Sequence, residues 1–533
     1  MAHDQRSENR RVVRAAGTVG IATLISRVFG FIRDMVVAAF FGAGLTTDAF
    51  FVAFRIPNLL RRLLAEGSLT VSFVPVFTEY LRNKTREEAQ ELANITFTAL
   101  SIILVAVSLL GVAFSPLIVK AMAPGFTRAS DQYELAVFLT RIMFPYILLI
   151  SLVALCMGIL NSLRHFAAPA LSPVILNLSM ILAALTLRDL FREPVVALAV
   201  GVMAGGILQL AMQWPFLVKM GVRLRPSFRF RHPGLKRIGY LMAPAAFGAA
   251  IYQINVFIGT ILASLLPPGS VSYLYYADRL VELPLGVFAI AVGTASLPSF
   301  SEQVALGKTE ELKRTTAFSL RMILFVTIPA TVAMIALRTP IISVLFQRGA
   351  FDIEATAHTA QALLFYTVGL WAFSTVRIIV AVFYALQDSR TPMKAAILAL
   401  VVNTVFSVAL MFPLKHAGIA LATSIASAVN VGMLWVILKR RMGNILDGEY
   451  YRSVGRTVLA SLVMGGVILA IEWIHPWNPS GPFDERLVYL VLCVSTGAAA
   501  FFAAAFLLKS PEMEAMGRVL RRRIASPPED STP

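Results

Sequence analysis

Arginine and aspartate recur at helical spacing inside two apolar segments near the start of the chain. In the first segment, Arg27 and Asp34 stand seven positions apart. In the second, Asp48, Arg55 and Arg62 follow the same interval. Seven residues of an α-helix turn through about 700°, so side chains at this interval lie on one face. If both segments are helical, each presents a charged stripe together with an apolar face.

Charged stripes of this kind predict a binding site for an anion within a membrane. An arginine at the bilayer centre costs about 2.5–3.5 kcal/mol on insertion scales, so we expect the stripes to line a water-filled cationic cavity. The planar guanidinium matches phosphate oxygens better than an ammonium does, which favours a phosphate or diphosphate ligand. The predicted substrate-binding residues of these segments are Arg27, Arg33, Asp34, Asp48, Arg55, Arg61 and Arg62.

A third charged motif, Asp278-Arg279-Leu280-Val281-Glu282, occurs in the second half of the chain. Asp278 and Glu282 are four positions apart and flank Arg279, so a local ion pair can compensate the charge of the arginine. In the alternative interpretation, Arg279 completes the cationic cavity and Glu282 sets its orientation. We predict all three as substrate-binding residues.

Two residues are predicted hinges of the first two helices. Gly30 lies between Arg27 and Arg33, and Pro57 follows Arg55 by two positions. Glycine and proline are the residues at which helices bend, so both helices are expected to flex there as the cavity opens. The pairs Arg33-Asp34 and Arg61-Arg62 also fit span-end anchors whose charges reach the membrane interface.

The remaining polar residues predict no catalytic or metal site. The six histidines lack metal-ligand spacing, and the sequence contains no Walker A pattern, nucleophile elbow or dinucleotide-binding loop. We therefore predict a transporter without an ATPase motif, not an enzyme, and no cofactor. Asn255, Asn403 and Asn430 either ligate a coupling monovalent cation or join helices through hydrogen bonds. The membrane potential is the other expected energy source.

The elements that position these residues are membrane-spanning helices. Of 533 residues, 57% are apolar and 14% are charged, and apolar stretches of spanning length recur throughout. The net charge of +17 would suggest nucleic acid in a soluble protein, but the basic residues lie mostly in short loops. We therefore expect these loops to contact anionic lipid headgroups and no nucleic acid. Cys156 and Cys493 fall in apolar stretches, so no disulfide is expected.

Apolar stretches between polar breaks predict an all-α polytopic membrane protein with about fourteen transmembrane helices. The loops on one side carry 30 Lys and Arg residues and those on the other side carry 7, which predicts cytoplasmic N- and C-termini. No small-residue cleavage site follows the N-terminal arginines, so the first helix is expected to be retained. The spans lie near residues 15–41, 46–80, 89–122, 132–162, 168–187, 194–219, 236–266, 271–304, 312–337, 355–386, 390–412, 416–439, 453–474 and 486–508.

An internal repeat relates two parts of the chain. The stretch Val74-Pro75-Val76-Phe77-Thr78-Glu79 returns 223 positions later as Leu297-Pro298-Ser299-Phe300-Ser301-Glu302. Leu160–Arg164 aligns with Leu386–Arg390, and Asn177 with Asn403, at an offset of 226. An offset of six helices keeps both halves in one orientation, which predicts parallel repeats. The predicted domains are a lobe of helices 1–6 (1–228), a lobe of helices 7–12 (229–445), a final helix pair (446–510) and a basic, partly disordered cytoplasmic tail (511–533).

The charged segments also carry a family resemblance. Three stretches closely resemble the MurJ/MviN lipid II flippases: Ser26-Arg27-Val28-Phe29-Gly30-Phe31-Ile32-Arg33-Asp34, Pro57-Asn58-Leu59-Leu60-Arg61-Arg62-Leu63-Leu64-Ala65-Glu66-Gly67 and Tyr275-Tyr276-Ala277-Asp278-Arg279-Leu280. The resemblance covers the chain to about residue 510. It implies the fold of the multidrug/oligosaccharidyl-lipid/polysaccharide (MOP) exporter superfamily, with two six-helix lobes and a last helix pair that forms a lipid-tail groove.

The resemblance further implies a role in peptidoglycan biosynthesis. Members of the family move lipid II, an undecaprenyl-diphosphate-linked disaccharide-pentapeptide, from the cytoplasmic to the periplasmic leaflet of the bacterial inner membrane. We therefore expect alternating access in a monomer, a role in cell wall organisation and cell shape, and the cell-wall synthesis machinery as a further partner. The residues that match the family's cavity are the arginines Arg27, Arg33, Arg61 and Arg279, accompanied by the acids Asp34, Asp48 and Glu282.

Three other functions stay open on the sequence. An exporter of another lipid-linked oligosaccharide or of drugs would share the architecture, although a drug/cation antiporter should have an acid-rich cavity. A membrane enzyme, such as a polyprenyl-diphosphate phosphatase or a glycosyltransferase, would need clustered acids or a nucleophile with its base. A non-transporting scaffold would keep its function when Arg27 and Arg279 are neutralised.

Overall fold

The computed structural model describes residues 2–62 and 68–514 of the chain. Within these residues the regular structure is helical and includes no strand, which confirms the predicted all-α class. The stretch Leu63–Gly67 of the family resemblance and the predicted tail from residue 515 onward lie outside them. The α-helices, numbered in chain order, are α1 Ala2–Phe41, α2 Leu45–Arg61, α3 Thr70–Asn83, α4 Arg86–Ala113, α5 Ser115–Met122, α6 Ser130–Met143, α7 Tyr146–Ser162, α8 Ala167–Thr186, α9 Val196–Lys219, α10 Pro233–Ser264, α11 Ser270–Pro284, α12 Ile290–Ala305, α13 Thr309–Ala336, α14 Arg338–Phe346, α15 Ile353–Val368, α16 Leu370–Ala385, α17 Arg390–Leu414, α18 His416–Met442, α19 Gly448–Ile474 and α20 Phe483–Leu507.

Each of the fourteen predicted spans coincides with one helix or with two consecutive helices. By length and composition alone, nine helical segments of the described residues can cross a membrane, or ten if α15 and α16 form one bent span. The four predicted spans outside that set are α1, the α2–α3 pair, α10 and the α11–α12 pair. Three of these four carry the candidate charged residues, and the helices of the two pairs are each too short to cross a membrane alone.

Several predicted spans are broken where the sequence supplies a helix breaker. Pro116 opens α5, and Pro145 precedes α7, so the predicted spans 89–122 and 132–162 are each two helices. Proline lacks the N–H that would continue the preceding helix. The α15 and α16 helices meet at 41° at Gly369. A Cβ at Gly369 would overlap Ser424 of α18, so glycine allows the close approach of that helix at the bend.

The structure confirms the repeat and corrects one of its alignments. Arg164 and Gln387 end α7 and α16 with positive φ, +61° and +57°, and they stand 223 positions apart. The N–H of Arg164 and that of Gln387 each donate at 3.0 Å to the carbonyl three residues earlier. Helices α6 and α15, and α8 and α17, also begin 223 positions apart. The offset of 226 is therefore wrong, and Asn177 corresponds to Leu400 rather than to Asn403.

The described residues form two compact units. The first contains the chain up to Ser272 together with residues 348–351, and the second contains the remainder. Compactness thus groups α10 with the first unit, whereas the repeat assigns it to the second half, so the predicted domain limits stay a prediction. In the first unit, a core of α3, α4 and α7 includes the stacked pair Phe73 and Phe77, whose ring centroids are 5.1 Å apart.

The second unit has its own core, which joins the last two helices to α13. Phe325 of α13 and Phe501 of α20 are buried, with ring centroids 5.2 Å apart, and Met464 and Ile468 of α19 complete this cluster. Cys493 of α20 lies in the same core, and both cysteines of the chain are buried free thiols, as the sequence predicted.

Candidate functional site

Arg27 is a half-buried cation of α1 for which the described part of the chain offers no partner. It lies fourteen residues before the end of α1 at Phe41, which is about 21 Å along the helix axis. The residue is half-buried, and among the described residues it makes neither a hydrogen bond nor an ion pair. An ion removed from bulk water without a counter-charge costs several kcal/mol, roughly, unless a ligand or water compensates it. Arg27 is therefore chemically able to accept an anion.

Arg33, in contrast, is held by two neighbours. Its Nε and Nη2 donate to Asp34 Oδ1 at 3.0 and 2.7 Å, and its Nη1 donates to Asn177 Oδ1 of α8 at 3.0 Å. Asn177 Nδ2 in turn donates to the carbonyl of Ser26 at 3.2 Å, so the amide ties α8 to α1 twice. Only 12% of the Arg33 side chain and 4% of the Asp34 side chain are exposed. This arrangement makes Arg33 and Asp34 a neutral pair rather than a free cation.

The partner Asn177 was not among the predicted site residues. The available signal was a lone amide in the otherwise apolar predicted span 168–187, which sequence reasoning used only for the repeat. Gly30 also packs against this amide, since a Cβ at Gly30 would stand 3.4 Å from Asn177 Nδ2. Helix α1 runs through Gly30 without interruption, so the hinge at this position stays a prediction.

Asp48 caps a helix that is distant in sequence. Its buried carboxylate accepts hydrogen bonds from the backbone N–H of Gly269 at 2.7 Å and from that of Ser272 at 2.8 Å. The hydroxyl of Ser272 donates to the same carboxylate at 2.5 Å. These donors belong to the N-terminus of α11, where the first N–H groups lack partners within the helix and the helix dipole favours a negative charge. The position of Asp48 on a charged stripe gave no hint of this partner.

Arg55 lies near the middle of its span. It stands ten residues after the start of α2, about 15 Å along the axis. Its Nη1 donates to Thr260 Oγ1 of α10 at 2.6 Å, a second partner that sequence reasoning missed. Pro57 is buried within α2, which continues past it to Arg61, so this predicted hinge also stays untested.

Arg61 and Arg62 lie at the C-terminal end of α2. Arg61 Nε donates to Asn58 Oδ1 at 2.8 Å, and both arginines are half-buried. The residues that follow them, 63–67, are outside the described part of the chain. Their roles in substrate binding therefore stay predictions.

Arg279 forms the local ion pair that the sequence allowed. Its Nη1 lies 2.7 Å from Glu282 Oε2, and its guanidinium carbon lies 4.9 Å from the centre of the Tyr275 ring, within range of a cation–π interaction. The Arg279 side chain nonetheless keeps 31% of its surface exposed, and that of Glu282 keeps 46%. Asp278 is half-buried on the same helix. The ion pair thus leaves Arg279 accessible to a further anion.

Arg55 and Arg279 lie at similar distances from the starts of α2 and α11, although the offset of 223 pairs Arg55 with Asp278, the neighbour of Arg279. They stand 224 positions apart, and Arg279 follows the start of α11 by nine residues, about 14 Å along the axis. Half of a hydrocarbon core of about 30 Å is the same length. Each unit therefore holds an arginine well inside a predicted span, about 14–15 Å along the axis from the start of its helix.

Two short loops are fixed against helix ends in the first unit. The N–H of Ala350 donates to the carbonyl of Ala39 near the end of α1 at 2.8 Å, and Gly349 before it has a φ of +57°. The N–H of Gly125 donates to Ser264 Oγ at the end of α10 at 3.3 Å. A Cβ at Gly125 would overlap the carbonyl of Ser264, so only glycine permits this approach.

A metal site is not formed by the usual ligands. Among the described residues no group of three or more His, Cys, Asp or Glu side chains could hold a metal ion. The coupling monovalent cation proposed for Asn255, Asn403 and Asn430 involves amide oxygens instead, and it stays a prediction.

Comparison with known proteins gives matches over most of the chain. The family model described as lipid II flippase MurJ matches residues 37–481. The probable lipid II flippase MurJ of Buchnera aphidicola subsp. Acyrthosiphon pisum is 39% identical over 474 residues, which are 89% of this chain and 93% of that protein.

Solved structures match over a similar length. Lipid II flippase MurJ in an inward closed conformation matches with a TM-score of 0.74 and 27% identity, over 92% of this chain and 99% of that one. An inward-facing multidrug resistance transporter of the MATE family, a member of the MOP superfamily, matches with a TM-score of 0.65. Its identity is 16%, over 81% of this chain and 98% of its own, which shows a common fold alone.

Proposed function

Because the chain belongs to the MurJ lipid II flippase family, we propose that it is a multi-pass transporter that translocates lipid II across the bacterial cytoplasmic membrane. This membership confirms the resemblance carried by the charged segments. Lipid II joins a disaccharide-pentapeptide to undecaprenyl through a diphosphate. In this proposal the head group moves from the cytoplasmic to the periplasmic leaflet and supplies peptidoglycan synthesis.

The observation that carries the proposal is the uncompensated charge of Arg27. A half-buried guanidinium that has no partner among the described residues favours a ligand that arrives with its own negative charge. A diphosphate supplies such a charge together with oxygens that match the guanidinium fork. Arg27 is accordingly the primary contact of the diphosphate, and Arg55 of the same unit is a further cationic contact. Arg279, in the second unit, stays a predicted substrate-binding residue.

Transport without ATP hydrolysis requires an equilibrium between states open to either side. In the first unit the end of α1 is bonded to Ala350, the end of α10 is bonded to Gly125, and the start of α11 is capped by Asp48. We propose that these hydrogen bonds break when the protein opens at the ends of α1 and α10 and at the start of α11. The membrane potential, worth about 2.3 kcal/mol per charge per 100 mV, or a monovalent cation biases the equilibrium.

Neutralising Arg27 tests the proposal. The purified full chain and its Arg27→Gln variant are compared for binding of lipid II and for its translocation in proteoliposomes. A hydrogen bond to a charged group contributes about 1.5–3 kcal/mol, so we expect the affinity to fall about tenfold to hundredfold. The unfolding midpoint should stay unchanged, since within residues 2–62 and 68–514 the structure shows no partner that Arg27 would lose.

Two further variants complete this test. Arg27→Lys keeps the charge without the fork and should restore part of the affinity. Arg141→Gln removes an exposed arginine that donates to Ser115 Oγ at 3.1 Å, and it should leave lipid II binding unchanged. Wild-type binding and translocation by Arg27→Gln would contradict the assigned role of this residue.

A further inference from the structure

The connection between α9 and α10 in the first unit is a fixed extended segment rather than a loose loop. Polar side chains of α4 at four-residue intervals bind its backbone along one line. Two side chains donate to backbone carbonyls: Arg86 Nη2 to Met220 at 2.9 Å and Gln90 Nε2 to Arg223 at 2.7 Å. Three side-chain oxygens accept from backbone N–H groups: Gln90 Oε1 from Arg223 at 3.2 Å, Asn94 Oδ1 from Arg225 at 3.0 Å and Thr98 Oγ1 from Ser227 at 2.8 Å.

The side chains of this segment alternate as those of a strand do. Val222 and Leu224 are buried in the core that includes α4, whereas Arg223 and Arg225 between them are exposed. Successive side chains of an extended backbone point to opposite sides. The hydrogen bonds to α4 therefore hold the guanidinium groups outward. We call residues 222–231 the basic-aromatic segment.

Helix α4 gives the depth of this segment in the membrane. Glu91 is the last charged residue of α4, and Thr98, which binds Ser227, follows it by seven residues. Seven residues of α-helix extend about 10 Å. Phe228 and Phe230, which come next in the segment, are 69% and 43% exposed, with ring centroids 6.1 Å apart. Ser227 is bound to the apolar part of α4, so the exposed rings that follow it are placed to enter the acyl region.

The charge of the segment is largely uncompensated. Four exposed arginines alternate with or flank the aromatic rings, namely Arg223, Arg225, Arg229 and Arg231. Arg229 forms an ion pair with Glu91 at 2.8 Å, and 79% of its side chain stays exposed. The other three have no acidic partner among the described residues.

We propose that the basic-aromatic segment binds the headgroup of an anionic glycerophospholipid, while Phe228 and Phe230 enter the adjacent acyl region. Charge complementarity selects the headgroup, since a basic residue near an anionic membrane surface contributes about 1 kcal/mol. The backbone is fixed by α4 before the lipid arrives, so binding does not require the segment to order. This site is separate from Arg27, and it does not rest on the transport of lipid II.

The test measures phosphatidylglycerol bound to the purified full chain. The variant Arg223→Gln/Arg225→Gln/Arg231→Gln keeps the backbone bonds to α4 and the Arg229–Glu91 pair. The detergent-solubilised variant and wild type are titrated with phosphatidylglycerol and measured by native mass spectrometry. We expect the affinity of the variant for phosphatidylglycerol to be at least about tenfold lower than that of the wild type. The unfolding midpoint in lipid-free detergent should equal that of the wild type.

The matched control neutralises three other exposed basic residues, as Lys394→Gln/Lys439→Gln/Arg440→Gln. This control variant should bind phosphatidylglycerol with the wild-type affinity. Phosphatidylcholine should show no difference in affinity between the wild type and the arginine variant. A second variant, Phe228→Ser/Phe230→Ser, should weaken retention while leaving the charge intact. Support requires loss in the arginine variant and retention in the control.

Three outcomes would overturn the proposal. The first is wild-type affinity of the arginine variant for phosphatidylglycerol. The second is an equal loss in the control, which would mean a non-specific effect of net charge. The third is a loss that affects lipid II and spares phosphatidylglycerol, since the segment would then belong to the substrate path. Translocation of lipid II in neutral vesicles is a separate readout, so failure here leaves the proposed transport function standing.

Discussion

Arg27, Arg33 and Asp48 show how differently the same residue types are used inside one membrane unit. Arg33 shares its charge with Asp34 and with the amide of Asn177, and Asp48 gives its charge to the N-terminus of α11. Both groups contribute to the fold because their partners are fixed. Arg27 has no such partner among the described residues, so it contributes to stability least and is available to a ligand.

At this scale we predict that Asp48→Asn destabilises the protein. The amide offers one acceptor oxygen and places an NH₂ group against the N–H donors of Gly269 and Ser272, so at least one buried donor loses its partner. An unsatisfied buried polar group costs about 1–3 kcal/mol. The measurement is the free energy of unfolding of the purified protein in detergent.

Ser272→Ala is the matched control for this variant. It removes the hydroxyl donor and leaves both backbone N–H groups bonded to the carboxylate, so a smaller loss of about 1 kcal/mol is expected. If Asp48→Asn proved as stable as the wild type, the carboxylate would not be the effective cap of α11.

At the scale of elements, the ends of α1 and α10 owe their contacts to loops that contain glycine. Gly349 has a left-handed backbone, and Gly125 brings its Cα against the carbonyl of Ser264. At Gly125 a Cβ is excluded because it would overlap the carbonyl of Ser264, not because of the backbone dihedral angles. A Cβ at Gly349 would likewise overlap the carbonyl of Ala39, so both loops depend on glycine for close approach, and Gly349 depends on it also for its left-handed backbone.

We predict that Gly125→Ala destabilises the protein by about 1–3 kcal/mol, the usual cost of overpacking a close contact. The added Cβ must displace the carbonyl of Ser264 at the end of α10. Thermal unfolding of the purified variant measures the effect.

Gly259→Ala, in the same helix α10, provides the comparison. Nothing lies within 4 Å of a Cβ at Gly259, and alanine is favoured over glycine within a helix by about 0.5–1 kcal/mol. This variant should therefore be neutral or more stable. Equal destabilisation by both substitutions would show that an added methyl group lowers stability without any overlap, and the specific overlap at Ser264 would lose its support.

At the scale of the whole molecule, charge distribution predicts how the chain is oriented. The loops of one side carry 30 basic residues and those of the other side 7, so the N- and C-termini are expected in the cytoplasm. This orientation also places the basic-aromatic segment at the cytoplasmic leaflet.

Cysteine labelling of intact cells tests this orientation. Ser480→Cys is expected to react with a membrane-impermeant maleimide from the periplasm, and Lys308→Cys only after the cells are lysed; both positions are exposed. The native cysteines are buried, so the wild-type chain is the unlabelled control. Labelling of position 308 in intact cells would reverse the predicted topology.

The membrane class, the span positions and the family can all be predicted from the amino-acid sequence. These properties follow from local patterns: apolar stretches long enough to cross a bilayer, prolines that end helices, and the motif around Arg27 and Arg33. The sequence also indicates which arginines are candidate site residues, because charges inside apolar spans are costly. The repeat was visible, but its register near Arg164 was wrong, since short apolar matches occur by chance and the helix-ending turn is set by the backbone.

Only the tertiary structure decided which charges are compensated. Asp48 and Ser272 are 224 residues apart, and Arg33 and Asn177 are 144 apart, so no local spacing could pair them. A hydrogen bond depends on distances of about 3 Å between groups that folding alone brings together. For the same reason, the sequence alone places the basic residues in loops, whereas the hydrogen bonds to α4 show that residues 222–231 form a fixed surface.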